Sequence, residues 1–172
     1  WWGAQRYGVT PDLVTFAKGV SSGYVPLGGV LVGRAVSACL ESDPTLVLRH
    51  GHTYSGHPTA CAAGLANLEI LRREDLPGRA VALGARLAEG LRGLVDGDHV
   101  VEVRGDGAVW AIELGGGRAA NDVREELLAR GVIARPIGAS TVAYCPPLVA
   151  TDGEIDDCVD ATAAALKAVS PA

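Results

Sequence analysis

The chain has 172 residues, 48% of them apolar, and a formal net charge of -5. That length suits one ordinary domain or two small lobes, and the apolar share excludes a disordered chain. Its Lys and Arg are scattered, so there is no basic footprint for nucleic acid.

Residues 12–17 read as a short, largely apolar strand of the kind buried on both faces of a parallel sheet. It ends at Lys18 and runs into a Gly/Ser loop, after which 28–33 read as a second buried strand. Val47 and Leu48 are expected to start a third, leading into a polar, His-rich turn at 49–57. Pro58 suits a first helical turn, with Ser55 and Gly56 as candidate caps, and an Ala-rich helix should run to about Arg73. A second helix is expected from about 75 to 95, with Leu83, Leu87, Leu91 and Leu94 at helical spacing. The Glu74-Asp75-Leu76-Pro77-Gly78 punctuation marks a lobe boundary, giving 1–73 and 74–172.

Beyond it the pattern becomes β-β-α-β-β-α. Strands are expected at 100–103 and 108–114, a helix at 118–130 that stops at Gly131, and short strands at 132–134 and 141–144. Thr151-Asp152-Gly153-Glu154 reads as a capping box opening a last helix to about Val169. There is no internal repeat. The longest uncharged windows, 19–33 and 136–151, are broken by Gly and Pro, so no membrane span is expected. The N-terminus lacks the regions of a signal peptide, and a cytoplasmic location is the expectation. Cys39, Cys61, Cys145 and Cys158 show no C-x-x-C pairing and read as buried thiols.

Lysine is scarce: Lys18 and Lys167 are the only two, and Lys167 reads as part of a solvated helix face. Lys18 closes a strand, and in open α/β sheets ligands bind at the carboxyl ends of strands. Position alone favours an ordinary surface lysine. A free lysine amine ionises near 10.4, so a nucleophilic role at neutrality asks the surroundings for roughly 4 kcal/mol of differential stabilisation.

The run Arg49-His50-Gly51-His52-Thr53-Tyr54-Ser55-Gly56-His57-Pro58 invites a metal reading. However, no Cys or carboxylate lies close in sequence to complete a zinc set. The hydroxyls of Thr53 and Ser55 just before a helix N-terminus suit a phosphate better. In Gly131-Val132-Ile133-Ala134-Arg135-Pro136-Ile137-Gly138, Pro136 pushes Arg135 toward an extended conformation, projecting its guanidinium off a strand end. Such a group suits bidentate capture of a carboxylate, although packing at a strand end would look the same. Arg104 and Glu113 read as structural ion-pair partners. Gly115-Gly116-Gly117 reads as a turn, lacking the ending of a phosphate-binding P-loop.

The whole segment Pro11-Asp12-Leu13-Val14-Thr15-Phe16-Ala17-Lys18-Gly19-Val20-Ser21-Ser22-Gly23-Tyr24-Val25-Pro26-Leu27-Gly28-Gly29-Val30 closely resembles the pyridoxal phosphate (PLP) lysine signature of class III aminotransferases of the ω-amino acid type. The runs at 53–58 and 135–138, and the hairpin 103–114, resemble further segments of that family. The resemblance implies an α/β fold: the C-terminal part of a fold-type I PLP-dependent transferase, with the end of the large-domain sheet followed by a small α+β domain.

It also implies that Lys18 holds PLP as a Schiff base and shuttles the proton of amino transfer. Thr53 would reach across a homodimer interface to the PLP phosphate of the other subunit, and Arg135 would bind the substrate carboxylate. The reaction implied is amino transfer from an amine or ω-amino acid to a keto acid. Other expectations within reach are a diaminopelargonate-type transaminase, an aminomutase, or a non-catalytic remnant. The family's acidic partner of the pyridine nitrogen, its stacking aromatic and its phosphate loop would lie upstream of Trp1. This stretch alone is therefore expected to bind PLP poorly and to leave the 28–33 strand with uncovered apolar faces.

Overall fold

In a computed structural model describing residues 1–170, the chain divides into two compact units, one running to Glu74 and the other starting at Asp75. The first contains α1 (Gly3–Arg6), β1 (Leu13–Phe16), a 3₁₀ turn (Lys18–Val20), β2 (Gly29–Val32), α2 (Arg34–Ser42) and α3 (Pro58–Arg73). β1 and β2 pair antiparallel, Leu13 opposite Val32 and Phe16 opposite Gly29. The sequence expectation of a strand buried in a parallel sheet is thus corrected. The loop between β1 and β2 folds the chain back on itself, and two strands alone cover neither face. Val30, Leu31 and Val32 remain about half exposed, as the uncovered-face expectation required.

No strand forms at Val47 and Leu48, which are exposed and irregular. α2 was not anticipated: it is short, its N-cap Gly33 offers no side-chain bond, and its inward face amounts to Val36, Ser37 and Leu40. α3 has the expected bounds but a different cap. His57 is the N-cap residue, and its Nδ1 accepts the Ala60 N–H at 3.4 Å, in place of Ser55 or Gly56.

The second unit contains α4 (Leu76–Arg92), β3 (Val100–Asp106), β4 (Val109–Leu114), α5 (Ala120–Ala129), β5 (Arg135–Ile137), β6 (Thr141–Tyr144) and α6 (Asp152–Ala168). Its strands run in the order β3-β4-β6-β5, antiparallel throughout. α4 and α5 pack on the sheet, and α6 packs on both helices. Leu83, Leu87 and Leu91, one helical stripe, are fully buried with Val100, Ile112, Val123, Leu127 and Val142. Leu94 is half-buried at the edge of this core.

The last helix opens with the capping box read from the sequence. Thr151 Oγ1 accepts the Glu154 N–H at 3.2 Å, and the Glu154 carboxylate accepts the Thr151 N–H at 2.7 Å. The strand expected at 132–134 begins instead at Arg135, with Pro136 opposite Val142. β5 is an edge strand, where a residue without an N–H loses no ladder bond. The cysteine expectation is also corrected. Cys39, Cys61 and Cys145 are exposed, and Cys158 is half-buried, its thiol pushed up to about 11 by desolvation. Among the described residues no helix is long and apolar enough to cross a membrane.

Candidate active site

Lys18 follows β1 after the single residue Ala17 and opens the 3₁₀ turn, with its backbone in the left-handed region at φ 51°. A non-glycine residue there costs about 1–3 kcal/mol and persists where its surroundings over-determine it. Those surroundings are visible. The Ser21 N–H donates to the Lys18 carbonyl at 3.2 Å, and the buried Ser21 hydroxyl donates to the Val25 carbonyl at 2.7 Å. The Lys18 side chain is exposed and takes no polar partner among the described residues.

α3 supports this loop. Ala60, Gly64, Asn67 and Leu71 recur at helical spacing as its inward positions. A Cβ on Gly64 would fall 2.6 Å from Leu27 Cδ2, so the absent side chain is what lets the loop lie close. Asn67 supplies the polar contact. Its Nδ2 donates to the Gly19 carbonyl at 2.8 Å and the Val20 carbonyl at 3.1 Å, while its Oδ1 accepts the Ser22 hydroxyl at 2.8 Å. The sequence reading passed over Asn67. A lone amide in an Ala-rich helix was the available signal, but its partners lie 48 and 47 residues away.

Thr53 lies in the turn preceding α3 and is exposed. The two hydroxyls of that turn differ. Ser55 Oγ accepts the His52 N–H at 2.9 Å and so helps build the turn. The Thr53 hydroxyl has no partner among the described residues. His57, by capping Ala60, takes up one N–H that the sequence reading had left to an anion. His50 and His52 meet edge-on with ring centroids 5.3 Å apart. Among the described residues no three His, Cys, Asp or Glu side chains are placed to hold a metal ion.

Arg135 opens β5 in the second unit, exposed at the sheet edge. Among the described residues it takes no ion pair, side-chain hydrogen bond or ring contact, whereas Arg104, Arg118 and Arg130 are all engaged. The hairpin that carries Arg135 is tied down from β4. Glu113 accepts the hydroxyls of Ser140 and of Thr141 (2.6 Å) and pairs with Arg104 at 2.9 Å. These donors, led by Ser140, hold its carboxyl down at about 2.

Lys18 and Thr53 therefore flank α3 in the first unit, and Arg135 belongs to the second. Within the first unit Asn67 meets the Lys18 loop about 14 Å along the helix axis from the start of α3, at 1.5 Å per residue. Thr53 sits before that start.

The family profile described as "Aminotransferase class-III" matches residues 1–166. An omega-aminotransferase of Caulobacter vibrioides is 42% identical over 164 residues, 91% of this chain and 37% of its own length. A thermostable (S)-enantioselective omega-transaminase from Thermomicrobium roseum has 40% identity and a TM-score of 0.87, covering 96% of this chain and 39% of its own. An amine transaminase from an uncultivated Pseudomonas species, solved in a PLP-bound form, has 37% identity and a TM-score of 0.89, covering 98% and 41%. The chain spans about two-fifths of the length of these relatives.

Proposed function

The chain belongs to the class III aminotransferases, a PLP-dependent family, and from that premise we propose that it forms the cofactor-anchoring and carboxylate-binding part of an aminotransferase acting between an amine or ω-amino acid and a keto acid. The supporting observation is Lys18: an exposed primary amine without a partner, at the carboxyl end of a strand, on a loop fixed from α3. The residues present fit the cofactor, since they offer one nucleophilic amine and one free hydroxyl before a helix. When bound, PLP supplies an electron sink and carries the amino group between the two substrates.

In this reading Lys18 Nζ is the covalent anchor for the cofactor aldehyde. Once released by substrate, the same amine accepts and returns the proton at the substrate carbon. The Thr53 hydroxyl donates to the cofactor phosphate. By the family resemblance, that phosphate is the one held by the other subunit of a homodimer. Arg135 captures the substrate carboxylate through paired N–H donors. The complete activity is assigned to this segment joined to the rest of the family's fold.

The test uses the scarcity of lysine. This segment, joined to the rest of the family's fold, is incubated with PLP and reduced with borohydride, and the adduct is mapped by mass spectrometry. We expect it on Lys18 well ahead of Lys167, which is exposed on α6 and serves as the internal reference. Equal labelling of the two would refute the assignment.

A further inference from the structure

We propose that Asn67 is the positioning residue for Lys18, holding the lysine loop against α3 through both the Gly19 and Val20 carbonyls. The inference rests on the reading of Lys18 as the cofactor anchor and adds a residue that this reading does not contain.

Three features converge on it. Asn67 is the polar member of the inward stripe of α3, where Ala60, Gly64 and Leu71 are its neighbours. Its amide is used in full toward the loop: the nitrogen donates to two successive carbonyls, and the oxygen accepts from Ser22. The segment it grips contains two non-glycine residues at positive φ, Lys18 at 51° and Ser22 at 47°. Two such residues within five positions need an external hold, and the Asn67 contacts begin at the residue next to Lys18.

Replacing the side chain has a specific consequence. Without the amide nitrogen, the Gly19 and Val20 carbonyls lose their donors, and the loop is free to leave the conformation that directs Lys18. α3 itself keeps its backbone bonds and gains an alanine, the best helix former. A role confined to helix stability would therefore leave Lys18 no worse off in Asn67→Ala.

The experiment compares the initial rate of reductive modification by excess PLP and cyanoborohydride at Lys18 with that at Lys167, in this segment joined to the rest of the family's fold, over a range of pH. In Asn67→Ala the Lys18 to Lys167 ratio should fall about tenfold, the scale of one to two ordinary hydrogen bonds, at every pH tested. Asn67→Asp keeps the size and the Ser22 bond but replaces the donors with oxygen, and should fall at least as far. Ser22→Ala leaves both carbonyl contacts and should stay near the wild-type ratio. If Asn67→Ala loses helix by circular dichroism, the equally sized Asn67→Asp decides. Wild-type ratios in both Asn67 variants would overturn the inference while leaving the anchor reading standing. A ratio of one in the unmutated chain would overturn the anchor reading itself, and the inference with it.

Discussion

Substituting Glu113 by Gln tests how the Arg135 hairpin is held. The carboxylate receives the hydroxyls of Ser140 and Thr141 and the Arg104 guanidinium, which lower its ionisation from 4.5 to about 2. At ~1.4 kcal/mol per pH unit such a displacement carries up to ~3 kcal/mol of linked stability. A quarter of the Glu113 side chain is open to water, which screens part of this, so we expect about 2 kcal/mol. The sign follows from the direction. A carboxyl lowered in the folded state stabilises fully above its unfolded value, and the contribution disappears as pH falls from 4.5 toward about 2. Gln keeps the shape, gives up the charge and offers no proton to titrate. Urea unfolding followed by circular dichroism should show Glu113→Gln about 2 kcal/mol less stable at neutral pH, with the gap closing as pH falls through that window. A gap that stays constant with pH would show that the loss is steric, and the electrostatic account would fail.

Two further substitutions probe packing and recognition. Gly84→Ala should destabilise the second unit by ~2 kcal/mol or more, although alanine is the better helix former by about 1 kcal/mol. The new Cβ would stand 1.6 Å from the Gly107 carbonyl oxygen, a backbone atom that no rotamer change can clear. A raised urea midpoint would refute this. In the complete enzyme, Arg135→Ala should lower kcat/KM for a keto acid acceptor about 10- to 100-fold, the worth of a charge-assisted pair of hydrogen bonds, and leave amines without a carboxylate unaffected. Unchanged keto acid turnover would remove the role assigned to Arg135.

The second unit was more legible in sequence than the first, for a physical reason. Its leucine stripe, its alternating strands and its Thr151–Glu154 box are local patterns, and each meets its partner within its own element or an adjacent one. β5 slipped because Val132 and Ile133 carry strand propensity, while the pairing that defines the strand is set by β6 across the hairpin. In the first unit the same local signals misled. Uniform apolarity at 12–17 looked like a central parallel strand, but direction is set by the loop that follows. Ser55 looked like a cap, but its oxygen closes the turn on His52, and capping passes to His57. Lys18, Thr53 and Arg135 stand out through their motifs and the family resemblance, and their roles are proposals. Asn67 does not, because what marks it is a contact and not a pattern.

That contrast bears on how the lysine is held. The second unit fixes its elements by packing, with leucines at 0% exposure behind its sheet. The first has less to pack with: Ser21, Ala60 and Gly64 are its buried residues among those described, and of the β1–β2 pair only Val14, Phe16 and Gly29 are half-buried. Half-buried side chains such as Val20 and Leu27 pack the loop on α3 only in part, which leaves a share of the cost of a left-handed lysine, about 1–3 kcal/mol, to other contacts. Hydrogen bonds must then carry the difference, at about 1 kcal/mol each. The loop has them in the right place: Ser21 to Val25, Ser22 to Asn67, and Asn67 to Gly19 and Val20. Directional bonds fix a backbone conformation more narrowly than a greasy contact of equal energy, since they weaken steeply with angle. A residue that must present one amine in one direction is better served by that kind of support, and α3 provides it from a single side chain.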